Sequence, residues 1–470
     1  MKKQEYDIGM IGLGVMGRNL LLNMADRGFA VAGYDKNLST VAALRAEAEG
    51  RNIYGAESLE EFVVSLRAPR AVMMLVPAGA VVDAVLQDLL SHLGANDLVI
   101  DGGNSHFKDT ERREKMLAER HLHFLGVGIS GGEDGARHGP SIMPGGNREA
   151  YRRVQPIFEA VAAKAGGEPC VVYLGPGAVG HYVKMVHNGI EYGLMQLIAE
   201  TYDLMKRGLG LDSGQLQAVY ENWNRTELAS YLVEITARIF HQLDDKTGKP
   251  LVELILDQAA QKGTGKWTAQ EAMDLQTPVP TINAAVAMRD LSGQKSERVA
   301  ASQILGGAAR AFSGNRESFI LQLQNALYAG MIVTFAQGLA LLRAASQAYN
   351  YGLNLESVAR LWRGGCIIRA DLLEDIRSAY ASQPDLSNLL MEAPLAQKVL
   401  ARQDDWRAVV RTAVELGIPA PALTASLVYF DGWRSAWLPA NLIQAQRDYF
   451  GAHTYKRVDA EGVFHTIWNV

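Results

Sequence analysis

Residues 7–20 read DIGMIGLGVMGRNL, and this stretch decides the fold. An apolar run ending at Ile11 enters Gly12-Leu13-Gly14-Val15-Met16-Gly17, and a helix-compatible segment follows over 18–27. A strand, a glycine turn and a helix in that order form the context in which G-x-G-x-x-G binds a dinucleotide. Gly12 permits the tight turn, Gly14 lets a pyrophosphate approach the backbone, and Gly17 allows close packing under a helix N-terminus that attracts anions. The companion acidic residue is Asp35 in VAGYDKN, eighteen positions beyond Gly17, near the ~20 the fingerprint expects. A carboxylate there accepts hydrogen bonds from ribose hydroxyls and repels a 2′-phosphate, favouring NAD over NADP. The adjacent Lys36 offsets part of that repulsion. The plainer alternative is a structural turn, with Asp35 an ordinary turn residue.

Outward from this motif, DIGMIGLG, AVAGYD, AVMMLV, DLVIDGGN, HFLGVGIS and CVVYLG are strand candidates separated by helix-length segments. That alternation implies βαβ units and a parallel sheet. Beyond Gly180, patterns rich in Ala, Leu, Gln and Met run to about residue 434 with hardly a strand among them. The expected architecture is therefore α/β: a Rossmann-like doubly wound domain over 1–178, a large all-helical domain over 179–438, and a C-terminal helix and tail over 439–470. LGPGAVG at 174–180 marks the divide, its three glycines and Pro176 interrupting regular structure. The tail ends in an aromatic cluster, Phe464, His465 and Trp468, and such a segment frays unless it docks onto something.

Composition narrows the possibilities. The chain has 470 residues, 48% hydrophobic and 21% charged, enough to bury large cores and too apolar for intrinsic disorder. A net charge of −5 supplies no overall attraction to nucleic acid or an anionic membrane. Cys170 and Cys366 are too few for a disulfide framework or a zinc site, which points to a reducing cytoplasm and to two buried small hydrophobes. The N-terminus lacks the apolar core of a signal peptide. The uncharged stretch over 326–342, interrupted by Thr334 and Gln337, falls short of the ~20 apolar residues of a spanning helix and reads as a helix buried on all sides.

In GHYVKMVHNGIEYGLMQL, Lys184, His187, Asn188 and Glu191 stand at i, i+3, i+4 and i+7, so a helix places all four on one face. The residues around them, Val183, Met185, Val186 and Ile190, are apolar. A Lys and a Glu two turns apart can serve as separate proton carriers on a bound substrate. Taken alone, the stripe is equally a solvated helix face.

The chain resembles the decarboxylating 6-phosphogluconate dehydrogenases through GLGVMGRNL at 12–20, IDGGNS at 100–105, GISGGEDGARHGPSIMPGG at 128–146 and KMVHNGIEYG at 184–193. QKGTGKWT at 261–268, WRGGCIIR at 362–369 and LIQAQRDYFGAHTY at 442–455 continue the match over nearly the full length. The resemblance implies oxidative decarboxylation of 6-phosphogluconate to ribulose 5-phosphate, within pentose phosphate metabolism and gluconate utilisation. It makes Lys184 the general base on the substrate 3-hydroxyl and Glu191 the acid that protonates C1 of the enediol. No metal is required, because a β-keto acid supplies its own electron sink.

By the same resemblance, the glycine turn over 12–17, Asp35, Lys36, Asn37, Val76, Pro77, Ala78 and Asn104 hold the dinucleotide. Asn104, Ser130, Gly131, Gly132, His187 and Asn188 hold the sugar acid. Tyr192, Lys262, Thr264 and Arg289 match the phosphate set, where charge-assisted contacts suit an ester dianion. Arg447 and His453 match residues that reach the neighbouring subunit's phosphate site, which implies a homodimer. WRGGCIIR, with Arg363 and Arg369, is read as packing and turn structure.

The sequence departs from the family pattern at the adenosine ribose. NADP-using members carry Asn-Arg-Thr/Ser where this chain has Asp35-Lys36-Asn37, and Pro77 stands where Lys is frequent. The expectation is a preference for NAD or dual use, against a family default of NADP. Two other readings stay open at this stage: a related β-hydroxyacid dehydrogenase acting on a non-phosphorylated acid, and a catalytically idle dinucleotide-binding protein. The QKGTGKW loop and basic tail weigh against the first, and the intact Lys184 and Glu191 against the second.

Overall fold

Six apolar runs and a following hairpin strand build one seven-stranded sheet, β1 (Ile8–Ile11), β2 (Val31–Tyr34), β3 (Ile53–Gly55), β4 (Ala71–Met74), β5 (Leu98–Asp101), β6 (His123–Ser130) and β7 (Ser141–Gly146). The order is β3-β2-β1-β4-β5-β6-β7 in a computed structural model that describes residues 5–306 and 310–468. Lys2 and Lys3, and the last two residues of the expected tail, lie outside the described residues. β1 pairs in parallel with β2 on one side and β4 on the other, so the strand order reverses beside it. A crevice therefore opens at the carboxyl ends of β1 and β4, where open α/β sheets take their ligands.

Helices α1 (Val15–Asp26), α2 (Leu38–Ala46), α3 (Leu59–Ser65), α4 (Ala80–Leu89), α5 (Phe107–Ala118), α6 (Gly132–His138) and α7 (Arg148–Val161) accompany the sheet. Its faces carry two separate apolar cores, one including Ile8, Met10, Leu20 and Phe158, the other Phe62, Val72, Leu86 and Phe124. Strands buried on both faces need apolar side chains at successive positions, which is why these runs do not alternate.

Three details depart from the expected sheet. β3 is a three-residue edge strand, IYG, outside the expected strand runs and too short to give a clear pattern. SIMPGG forms β7, antiparallel to β6, although its proline and glycines give no strand signal. An edge position tolerates Pro144, which has no N–H to donate. CVVYLG forms no strand; it runs beside β7 with a single parallel bridge between Ile142 and Val171. The Ile142 N–H reaches Cys170 O, and the matching bond two residues on would need an N–H that Pro144 lacks.

The helical domain starts with α8 (Val179–Asp203). It continues through α9 (Ser213–Trp223), α10 (Tyr231–His241), α11 (Thr264–Asp274), α12 (Pro280–Gly293), α13 (Lys295–Ile304) and α14 (Arg316–Ala348). It is completed by α15 (Leu355–Trp362), α16 (Leu372–Ser382), α17 (Ala393–Leu400), α18 (Gln403–Leu416), α19 (Pro421–Trp433) and α20 (Ala440–Gly451). α14 is long and apolar enough to cross a membrane, but 89% of its most apolar window is buried inside this domain, as expected of a core helix.

α8 joins the two halves by lying directly on the sheet. A Cβ on Gly180 would stand 2.2 Å from Gly126 O and 2.3 Å from Met143 O, and a Cβ on Gly128 would stand 2.4 Å from Lys184 Cβ. Only glycine allows this approach, and His181, buried beside it, bonds Thr110 Oγ1 at 2.6 Å and Asp101 O at 3.0 Å. Gly180→Ala is expected to destabilise the chain by about 3 kcal/mol, at the upper end of overpacking costs because backbone rather than side chain must move. Urea unfolding with an unchanged midpoint would show that the helix can lift off the sheet without cost.

Candidate active site

The glycine turn folds as its spacing requires. Gly12 has φ +93°, and a Cβ on Gly17 would lie 1.9 Å from Gly12 O, so the first turn of α1 is pressed against the loop. Around Gly14 there is no atom within 4 Å of where a Cβ would stand, and this N-cap offers α1 no side-chain partner. The unpaired N–H groups thus face open space, the requirement for a pyrophosphate. Leu13 is buried, while Val15 is exposed.

Asp35 is fixed by two backbone donors, Leu13 N–H to Oδ2 and Asn37 N–H to Oδ1, both at 2.8 Å. It lines a cleft of about 360 Å³ that also includes Gly14, Lys36, Val76, Pro77 and Asp88. Lys36 Nζ donates to Asp88 Oδ2 at 2.9 Å, and Asn37 caps α2 by accepting from Ser39 N–H. Ala78 is exposed in the loop after β4. Asn104 is exposed beyond β5, on a turn held by the buried Asp101, which accepts from Gly103 N–H and Ser105 Oγ. These groups fit a nicotinamide dinucleotide: bare helix-end amides for the pyrophosphate and a carboxylate for the ribose.

The predicted polar stripe is not a solvated face. Lys184 and His187 are 7% and 0% exposed. His187 Nδ1 lies 3.4 Å from Lys184 Nζ, 3.0 Å from Asn188 Oδ1 and 3.8 Å from Glu191 Oε2, and its Nε2 lies 3.2 Å from Ser130 Oγ. Ser130 ends β6, and Gly131 and Gly132 turn the chain into α6 with φ +116° and +64°. Burial pushes Lys184 below its usual value against the pull of Glu191, and holds His187 well below its own, with Lys184 adding to the effect. Burial raises Glu191, partly opposed by Lys184 and Arg289. An amine eased toward its neutral form and a carboxyl eased toward its neutral form on one helix face can serve as a proton acceptor and a proton donor.

Four of the six predicted phosphate ligands gather beside this pair. Asn188 Nδ2 donates to Thr264 Oγ1 at 3.1 Å, tying α11 to the stripe. The Arg289 guanidinium sits 3.4 Å from the Tyr192 ring centroid and donates to Ala260 O at 3.2 Å, with Lys262 exposed two residues on. Arg447 and His453 are not brought in: Arg447 donates to Gln444 Oε1, and His453 meets the Phe450 ring edge-on. Among the described residues, no hydrogen bond or ring contact joins either to α8.

Two supports of the site carry little signal in the sequence. WRGGCIIR reads as packing, and the packing is against the site: Trp362 stands edge-on to His187 at 5.7 Å, and Gly365 O accepts from Ser141 N–H beneath the Gly131 turn. Burial raises the Cys366 thiol to about 12, which keeps it inert beside Lys184. The second support is the fully buried Arg113, which sequence reasoning missed; it donates to Asp83 and Ser105 and lies 3.6 Å from Asp101, bracing the turn that carries Asn104. Its only signal is a basic residue on the apolar side of α5.

Comparison with known proteins shows the family. The family model for the NAD binding domain of 6-phosphogluconate dehydrogenase matches residues 7–175, and that for the 6-phosphogluconate dehydrogenase C-terminal domain matches 180–468. The chain is 52% identical, over the whole of both chains, to the NADP(+)-dependent decarboxylating 6-phosphogluconate dehydrogenase of Bacillus subtilis. It is 55% identical, again over the whole of both, to the decarboxylating 6-phosphogluconate dehydrogenase of Synechococcus elongatus. Its structure resembles Plasmodium falciparum 6-phosphogluconate dehydrogenase, solved alone, with NADP+ and with 6-phosphogluconate, at a TM-score of 0.95 and 44% identity, covering 98% of this chain and 100% of that one.

The coupling of Lys184 to Glu191 can be read directly. In protein labelled with 13C at lysine Cε, the signal lost in Lys184→Ala should titrate below the usual lysine range, and Glu191→Gln, which removes a charge that favours the ammonium, should lower that midpoint further. A Lys184 midpoint that stays at the ordinary lysine value would show that burial does not tune it.

Proposed function

Because the chain belongs to the family of decarboxylating 6-phosphogluconate dehydrogenases, we propose that it converts 6-phospho-D-gluconate to D-ribulose 5-phosphate and CO2 while reducing a nicotinamide dinucleotide. The observation that carries this reading is the α8 face of buried Lys184 and His187 and half-buried Glu191, packed on the sheet whose strands β1 and β4 border the dinucleotide crevice. Residues 1–178 would hold the dinucleotide, 179–438 the substrate and dimer surface, and 439–470 the tail. The assigned reaction belongs to oxidative pentose phosphate metabolism and gluconate utilisation, and two buried unpaired cysteines suit a reducing cytoplasm.

A nicotinamide dinucleotide held in the crevice would supply the acceptor for the hydride leaving C3 of the substrate. Lys184 Nζ, eased toward the neutral amine, takes the proton of the 3-hydroxyl and then holds it against the new keto oxygen. That charge stabilises the enediolate left as the C1 carboxylate departs as CO2. Glu191, whose carboxyl burial raises toward the protonated form, delivers a proton to the carbon that lost CO2, C2 of the substrate and C1 of ribulose 5-phosphate. His187 and Ser130 keep Lys184 oriented, and Asn104, Gly131, Gly132 and Asn188 orient the sugar acid. Tyr192, Lys262, Thr264 and Arg289 take the phosphate, for which Arg289 has only to leave the Tyr192 face.

The homodimer is supported by what one chain leaves uncovered. Trp437, Leu442, Ile443 and Phe450, on and just before α20, are 58–72% exposed, an apolar surface that a single chain does not bury. A partner subunit seated there would receive Arg447 and His453 at its own phosphate site.

On the dinucleotide, the named Bacillus subtilis relative uses NADP(+). This chain is read as preferring NAD or using both, because Asp35 is fixed at the ribose position and Lys36 is engaged by Asp88. Initial rates with 6-phosphogluconate should give a higher kcat/KM with NAD than with NADP, and Asp35→Asn should raise the NADP value. A clear NADP advantage in the unaltered protein would reverse that reading while leaving the family intact.

Lys184→Ala should lower kcat by about a hundred- to ten-thousandfold, the span of a lost general base, while dinucleotide affinity measured by fluorescence stays unchanged. Glu191→Gln should slow release of ribulose 5-phosphate. Near-normal turnover in the first variant removes the proposed base, and an unaltered rate in the second assigns C1 protonation to another group.

A further inference from the structure

The tail is organised by one residue to which the chemistry above gives no part. Asp448 lies on α20 between Gln444 and the helix end, and its side chain is fully buried although most of α20 is exposed. Its carboxylate accepts four hydrogen bonds, all from residues that follow it. Thr454 N–H and His465 Nδ1 donate to Oδ1, each at 2.9 Å, and Thr466 N–H and Trp468 Nε1 donate to Oδ2, each at 3.0 Å. Two backbone amides, an imidazole and an indole thus converge on one anion.

Around this centre the chain folds back on itself. Tyr455 and Phe464 exchange both backbone hydrogen bonds as an antiparallel pair, and Gln444 Nε2 donates to Thr454 O at 2.6 Å. Ala452 and Thr454 take positive φ, 49° and 62°, which turns the chain sharply beside His453. Such backbone costs free energy for residues with a Cβ and persists only where surrounding bonds fix it. Here the bonds that fix it end on Asp448. Burial alone would raise that carboxyl; the bonds from His465, Thr466, Trp468 and Thr454 hold it near 2, so it is an anion at any working pH.

We propose that Asp448 is a positioning residue that clasps residues 452–468 into one shape, so that Arg447 beside it and His453 in the turn it holds present a single rigid phosphate grip to the partner subunit. The inference rests on the reading of the tail given under the proposed function. Asp448 touches no substrate; it removes the alternatives open to an exposed, loop-rich segment whose ordering would otherwise oppose binding.

The test compares Arg447→Ala, Asp448→Ala and the double variant in the full chain. The measurements are kcat, KM for 6-phosphogluconate, KM for the dinucleotide, the inhibition constant of inorganic phosphate, and mass by light scattering. Expected are dimers in which either single change raises the 6-phosphogluconate KM about tenfold, the scale of one charge-assisted hydrogen bond to the phosphate. The phosphate constant should weaken by the same factor, with the dinucleotide KM within about twofold and the double variant little worse than the worse single one. Full multiplication of the two effects would show that Asp448 does not act through Arg447, and an ordinary KM in Asp448→Ala beside a raised one in Arg447→Ala would overturn the clasp. An unchanged KM in Arg447→Ala would instead remove the tail from the site. Should Asp448→Ala not yield dimer, Asp448→Asn carries the test, since its amide group must face one of the two donor pairs; His465→Phe, which removes one donor, should give a smaller rise in the same direction.

Discussion

The candidate site of this chain depends on a close approach that glycines make possible. The first turns of α8 lie against the backbone of β6 and β7, with Gly180 beneath Gly126 O and Met143 O and Gly128 beneath Lys184. At an ordinary helix-to-sheet distance of about 10 Å, Lys184 would stand one side chain further from the sheet. With the glycines in place, its stem is pinned over β6, and the same strand ends in Ser130, whose hydroxyl meets His187. One close approach thereby sets Lys184, His187 and the Gly131–Gly132 turn in a fixed relation, two strands away from the crevice at β1 and β4.

That closeness also determines the charge states. A Lys and a Glu in one pocket could form an ion pair, and their mutual attraction favours it. Burial works the other way on both, since each charged form loses water, and in the Lys184–Glu191 pair the burial effect is the larger for each. Buried ion pairs commonly fail to recover their desolvation penalty, so the outcome is a pair eased toward neutrality. This is the state in which one group can accept a proton and the other donate one. His187 between them is held well below its usual value, so it adds no cation to the pocket and leaves the proton to Lys184.

How much was legible in the sequence follows from how local each signal is. The glycine turn, Asp35 and the i, i+3, i+4, i+7 stripe are short-range patterns set by strand, turn and helix geometry, and the structure holds them as read. β7 was not legible, because Pro144 and its glycines signal a turn and only an edge beside β6 makes a strand of them. CVVYLG failed for the complementary reason, its apolar pattern being strand-like while the neighbour it would pair with lacks an N–H. The support given by Trp362, Gly365 and Arg113 joins residues far apart in the chain, for which no spacing rule exists. The part proposed for Arg447 and His453 has no trace in a single folded chain, because their predicted site is on another subunit.

At the proposed adenosine end, the charges differ in how freely they can move. Two carboxylates, Asp35 and Asp88, and one ammonium, Lys36, border the cleft. Lys36 is 70% exposed on a flexible stem, and an exposed ion pair is worth about 0–1 kcal/mol, so a 2′-phosphate could draw it from Asp88 at little cost. Asp35 has no such freedom: bonds from the Leu13 and Asn37 amides hold both of its oxygens in the turn that also forms the pyrophosphate site. Moving it would disturb the turn itself. A fixed repulsion and a movable attraction do not cancel, because the movable charge can serve either dinucleotide while the fixed one disfavours only the phosphorylated ribose. On the proposed reading the balance tilts toward NAD without closing the cleft to NADP, and the backbone bonds to Asp35, more than its charge, would set the tilt.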